Sequence, residues 1–100
     1  MRYPVLMTTP AHKMLKKLPP QVRQHIIEQA QALQDNPYLG QHLHGEFSAF
    51  HSLHIQYQNV QYRVGYEIQH ERQEIIVRAV AVRENFYKRL EEMKLKPLQD

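Results

Sequence analysis

The chain has 100 residues and a mass of 12.0 kDa, which is one domain and excludes an enzyme with a separate cofactor domain. It contains no cysteine, so disulfides and thiolate zinc sites are excluded, and no run of ~18 apolar residues marks a membrane span. A net charge of +3, a pI near 9.3 and seven histidines, four of them between positions 42 and 54, favour a polyanionic partner, most simply nucleic acid.

Val5 and Leu6, within Tyr3 to Met7, fit a short strand. Thr8-Thr9-Pro10 ends it. Thr9 is the expected N-cap, and Pro10 suits the first helical position, where its missing N–H costs nothing. In the helix that follows, Met14, Leu15 and Leu18 face one way, with Lys13, Lys16 and Lys17 around them. Pro19-Pro20 breaks this helix and seeds a second. There Val22, Ile26, Ala30 and Leu33 recur at helical spacing, supported by Ile27. Asp35-Asn36-Pro37 stops it. Tyr38 to Glu46 reads as loop, with turns at Gly40 and Gly45. The period then changes from helical to strand-like. Leu53, Ile55 and Tyr57 alternate with Ser52, His54 and Gln56, and a tight turn follows at Gln58-Asn59. Val60, Tyr62, Val64, Tyr66 and Ile68 form one face of the next strand; Gln61, Arg63, Gly65, Glu67 and Gln69 form the other. After a turn at His70 to Gln73, the stretch from Glu74 to Val82 is apolar on both faces, hence central in the sheet. Arg83 to Lys94 reads as a helix with Phe86, Leu90 and Met93 on one side, and Pro97 follows its end.

These elements make a single α+β domain over residues 1–100: an N-terminal strand, two helices, an antiparallel β-meander and a C-terminal helix. One face of the meander must pack on the helices. The other carries His54, Arg63, Gly65 and Glu67. In an antiparallel hairpin turning at Gln58-Asn59, position 54 can lie across from position 63. An imidazole and a guanidinium beside a small glycine make an anion site; a solvated outer face accounts for the same pattern. His51 stands three residues from His54 and so points to the opposite face, which argues against a metal held by that pair. His42 and His44 share a parity and could join His54 on a metal, but no carboxylate or cysteine stands at a motif spacing. No metal and no cofactor is expected.

The order of certain motifs is familiar. Leu15-Lys16-Lys17-Leu18-Pro19 is followed by a helix ending near Asn36-Pro37, then by Leu43-His44-Gly45. Tyr62-Arg63-Val64-Gly65-Tyr66-Glu67-Ile68 and Arg83-Glu84-Asn85-Phe86-Tyr87 come after. Over positions 3 to 90 the chain resembles the RelE/ParE superfamily of toxins from bacterial type II toxin–antitoxin pairs. The resemblance implies a microbial-ribonuclease-like fold, a twisted and mostly antiparallel sheet with helices on one side. It also implies either cleavage of messenger RNA in the ribosomal A site, as in RelE-like members, or inhibition of DNA gyrase, as in ParE-like members. Arg63 matches the arginine that RelE-like toxins keep in the tyrosine-arginine strand. Arg83 and Tyr87 match the arginine before the last helix and the tyrosine four residues on. Ser52 and His54 stand where RelE has two lysines, and a histidine there is similar to YafQ-like members. Ala81-Val82 replaces the Gly-His common in relatives.

Metal-independent RNA cleavage needs a base for the 2′-hydroxyl, a cationic hold on the phosphate and a proton for the leaving 5′-oxygen. Histidine suits the first and arginine the second. The resemblance therefore implies that His54 exchanges protons and that Arg63 and Arg83 hold the phosphate. Tyr87 then stacks on a base or donates to the leaving oxygen. Glu67 orients His54 or Arg63, or is itself the base; Arg63 paired with Glu67 in a structural salt bridge is the plainer alternative. His51, Ser52, Lys88, Lys13, Lys16 and Lys17 are candidate RNA contacts. The implied partners are the ribosome with its messenger and a cognate antitoxin whose acidic segment covers the sheet or displaces the last helix. Operator DNA would be met only through the antitoxin, and no membrane is involved. A displaceable last helix would leave an open apolar strip near Phe86, Leu90 and Met93. A non-catalytic relic that only binds its antitoxin is the remaining alternative. The opening Met1-Arg2-Tyr3-Pro4 has no signal-peptide pattern, so the expected compartment is the cytoplasm.

Overall fold

Val5–Met7 form β1, and the chain leaves it through an extended Thr8. A computed structural model describes residues 2–94; Pro97, expected beyond the last helix, lies outside them. Helix α1 spans Thr9–Lys16, and its cap is Thr8, one residue earlier than expected. Thr9 already has helical geometry, so it is the Thr8 hydroxyl that accepts from the Ala11 N–H, at 3.3 Å. Helix α2 spans Pro20–Gln31 and buries Val22, Ile26 and Ala30; Leu33 completes the stripe in a 3-10 turn, Ala32–Gln34. The segment expected to be loop contains a 3-10 turn at Pro37–Leu39 and a two-residue edge strand, β2 (Gln41–His42). So short a strand has no alternation to detect. A third 3-10 turn, Gly45–Phe47, leads into β3 (His51–Tyr57). Strands β4 (Val60–Gln69) and β5 (Glu74–Val82) follow, then a 3-10 turn at Arg83–Asn85 and α3 (Phe86–Lys94).

The five strands lie in the order β1-β5-β4-β3-β2. Only β1 and β5 run parallel; the other pairs are antiparallel. Positive φ at Gln58 and Asn59 (48° and 67°) turns the β3–β4 hairpin in the sense that matches strand twist. Strand β5 is paired on both sides, as its double apolar face requires. Its register with β4 slips once: Gly65 faces Ala79 but Tyr66 faces Val77, leaving Arg78 as an extra residue. This bulge reverses the alternation. Ile75, Val77 and Val80 therefore share one core, and Ala79 and Ala81 another.

The two cores lie on opposite faces of the sheet. Ala11, Leu15, Val22, Ile26 and Leu33 from the α1–α2 side pack with Ile55, Tyr62, Val64 and Tyr66. Phe86, Leu90 and Met93 of α3 pack with Leu43, Phe50, Ala79 and Ala81. The helices are thus on both sides of the sheet, not one. The expected open strip at Phe86, Leu90 and Met93 is closed, since all three are buried. Gly65 has its reason here: a Cβ would stand 3.1 Å from Leu90 Cδ1 and from the Phe86 ring. The glycine admits α3 rather than an anion. Among the described residues no helix is long and apolar enough to cross a membrane.

Candidate active site

The hairpin register sets His54 of β3 directly across from Arg63 of β4. Cross-strand partners share a face, and this is the face that α3 covers in part. The Arg63 guanidinium lies along α3, with its carbon 5.9 Å from the Phe86 ring centroid and 5.7 Å from that of Tyr87. Such contacts hold a cation without neutralising it, so the charge remains available to an anion. Phe86 is fully buried and forms the inner part of this ledge; Tyr87 is 44% exposed and forms the outer part. Phe47 reaches the same place from the Gly45–Phe47 turn, its ring 5.5 Å from Tyr87.

His54 is exposed at the open end of this arrangement. Burial, and then the neighbouring Arg63 charge, hold its pKa below the ordinary histidine value. Its imidazole is therefore unprotonated at neutral pH and able to accept a proton. Arg83 opens the turn directly after β5, where Val82 pairs with Tyr62 beside Arg63. It is exposed, and its ion pair with Glu84, at 4.0 Å, is loose and solvated. Lys88 is exposed on α3 next to Tyr87.

Other sequence candidates lie elsewhere. Glu67 is four residues along β4 from Arg63 and is ion-paired to Arg78, so neither the base role nor a bridge to Arg63 describes it. Gln69 also donates to it at 3.2 Å. Arg78 is itself buried, donates to the Met93 carbonyl at 3.0 Å and lies 5.9 Å over the Phe50 ring. Ser52 is across from Gly65, 1% exposed, and its hydroxyl has no hydrogen-bond partner among the described residues. It cannot meet RNA while α3 is docked. His51 is across from Tyr66, on the other face from His54, and stacks on Tyr66 and on His42 at 5.3 and 4.7 Å. Burial, then His42 and His70, hold its pKa down. His42 is committed to that stack and its Nε2 lies 2.8 Å from the Ser48 carbonyl, which takes it away from any set with His54. Among the described residues no group of three or more histidine or acidic side chains is placed to hold a metal.

Lys13 and Lys16 are exposed on α1, and Lys17 is exposed at its C-cap. Lys13 and Lys17 line a groove of about 410 Å³ between α1 and α3, with Met14, Leu18, Val80 and Arg89 among its other walls. Its floor is the part of β5 that β1, pairing only with residues 75–77, leaves uncovered. Phe47, Phe86 as a ledge and Arg78 are not legible in the sequence as site residues. Only Arg78 left a trace, as a lone charge inside the most apolar strand.

The family model of the ParE-like toxin of type II bacterial toxin–antitoxin systems matches residues 5–91. No curated protein matches the chain. Among solved structures, the RelBE2 toxin–antitoxin complex of Mycobacterium tuberculosis contains a chain 29% identical to this one. The match covers 83% of this chain and all of the other, with a TM-score of 0.71. The free Escherichia coli toxin RelE, in a doubly arginine-substituted form, aligns with 99% of this chain and all of its own at TM-score 0.77 and 18% identity. The E. coli RelBE complex gives 0.65 at 19% identity, over 79% of this chain and 94% of that one.

Proposed function

The chain belongs to the ParE-like toxins of type II bacterial toxin–antitoxin systems, and on that premise we propose that it is a ribosome-dependent endoribonuclease acting without a metal. The observation that carries this reading is the His54–Arg63 pair: an unprotonated imidazole across one rung of a hairpin from a guanidinium held on an aromatic ledge. A gyrase inhibitor has no need of a base beside an anion clamp.

In the reaction, a His54 ring nitrogen takes the 2′-hydroxyl proton. The 2′-oxygen bonds to the adjacent phosphorus, and the bond to the 5′-oxygen breaks. The products are a 2′,3′-cyclic phosphate and a 5′-hydroxyl. Arg63, joined by Arg83 across the end of the sheet, binds the phosphate oxygens as their charge grows. Tyr87 stacks on a base with its exposed ring or gives the leaving oxygen its proton. The site is open and has few groups, so the ribosome supplies much of the orientation.

Primer extension on a reporter messenger in a purified translation system tests this. Cuts that need ribosomes are expected with the wild type, and a rate lower by ~10²-fold or more with His54→Ala or Arg63→Ala. An intact messenger and normal protein synthesis would overturn the reading. The second reading is the one that the resemblance to ParE-like members implies, inhibition of DNA gyrase; gyrase-bound DNA breaks on expression, with messengers intact, would establish it.

The partner under either reading is a cognate antitoxin. The groove between α1 and α3 has apolar lining at Met14, Leu18 and Val80 and carries Lys13 and Lys17 on its α1 side, while on its α3 side Arg89 is ion-paired to Glu92 at 3.3 Å. This suits an acidic segment with apolar anchors, laid beside α3 rather than in its place.

A further inference from the structure

We infer that Phe47 is a positioning residue: it fixes the ring of Tyr87 against Arg63 and so sets the spacing between the stacking ring and the phosphate clamp. The inference rests on the RNA-cleaving reading above and adds to it a residue outside the motifs that suggested that reading.

Tyr87 is a half-exposed side chain on the first turn of α3, and alone it would populate more than one rotamer. Among the described residues two rings and one cation stand against its ring. Phe86, 5.3 Å away and edge-on, is its chain neighbour. The Arg63 guanidinium, at 5.7 Å, ends a long flexible side chain. Phe47 differs from both, because its own backbone is fastened to the sheet. Its N–H donates to the His44 carbonyl at 3.3 Å, and its carbonyl accepts from Phe50 at 2.9 Å. The Leu43 N–H in turn donates to the Phe50 carbonyl at 3.0 Å, and both of those side chains are buried under α3. Gly45, at φ +65°, allows the turn to close.

The turn grips α3 at a second point. Lys94 Nζ lies 5.5 Å from the centroid of the same Phe47 ring and is ion-paired to Glu46 at 3.6 Å and Glu91 at 3.0 Å. Tyr87, Glu91 and Lys94 recur at i, i+4 and i+7, one stripe of the helix. The stripe faces the turn that carries Glu46 and Phe47. A shift of the Phe47 ring therefore moves Tyr87, and with it the cation resting on Tyr87.

A double-mutant cycle with Tyr87 separates positioning from packing. In the ribosome assay, Phe47→Leu should slow cleavage by ~10-fold or more, with Phe47→Tyr restoring it. In a Tyr87→Ala background the same Phe47→Leu change should act within about 2-fold. Equal losses in both backgrounds, or no loss in either, would overturn the inference. The side-chain N–H signal of Arg63 and the ring protons of Tyr87, followed by NMR in the free protein, give an independent readout. They should move in Phe47→Leu and return in Phe47→Tyr, and unmoved signals would overturn the inference. Should the wild-type protein leave messengers uncut, the cleavage reading fails by itself, and the NMR comparison still decides whether Phe47 holds Tyr87.

Discussion

Single side chains in this molecule take their roles from which face of the sheet they occupy. His54 and His51 are three residues apart on β3 and look interchangeable by type. One lies beside Arg63 and the other in a stack with His42 and Tyr66. The alternation of a strand makes that distinction from sequence alone. Neither the Nδ1 of His51, buried with no hydrogen-bond partner among the described residues, nor its stacking could be read the same way, because both depend on neighbours outside β3. Both histidines have pKa values held down in the folded chain. The unfolded chain thus binds more protons between those lowered values and about 6.5. Stability rises with pH across that window; the penalty is complete below the folded values and gone above the unfolded one. Thermal unfolding followed from pH 7 down to pH 5 should show a falling midpoint. His51→Phe, which keeps a stacking ring and removes the titrating nitrogens, should flatten the fall without altering RNA cleavage. A slope identical to wild type would mean that His51 plays no part in it.

At the level of elements, the bulge in β5 and the docking of α3 are one arrangement. The extra residue is Arg78, and it reaches both Glu67 on β4 and the Met93 carbonyl of α3. Removing one partner of a buried ion pair costs about 3–5 kcal/mol. Glu67→Ala should therefore destabilise the domain on that scale. Hydrogen exchange should show α3 losing protection while β3 and β4 retain theirs. If instead all elements lost protection together, α3 would have no separate stability and the latch no separate role. Helical periodicity over Phe86, Leu90 and Met93 identified the buried stripe of α3. It carries no information about which face of the sheet receives that stripe. Gly65, read as room for a ligand, is room for Phe86 and Leu90.

Across the whole molecule, three layers divide the work. The α1–α2 layer supplies a core and a basic surface. The sheet carries His54 and Arg63, and α3 turns a bare strand face into a ledge with one open side. The groove between the outer layers spans α1 and α3 and predicts a separation of partners. Reversing charge at Lys13 and Lys17 together should weaken binding of the co-produced cognate antitoxin by ~10-fold or more, chiefly by slowing association, with cleavage unchanged. A loss of cleavage with antitoxin binding intact would make these lysines RNA contacts instead. Residue pattern was enough for the α+β class, the faces of β3 and β4 and the opposition of His54 to Arg63. Each of these follows from local periodicity and one tight turn at Gln58-Asn59, and such interactions are encoded in neighbouring residues. Tertiary structure alone decided that helices cover both faces, that Glu67 belongs to Arg78, that Ser52 is sealed and that Phe47 meets Tyr87. Those contacts join segments far apart in the chain, and at Arg78 they pass through a bulge that reverses the strand's parity, which cannot be counted from the residues that precede it.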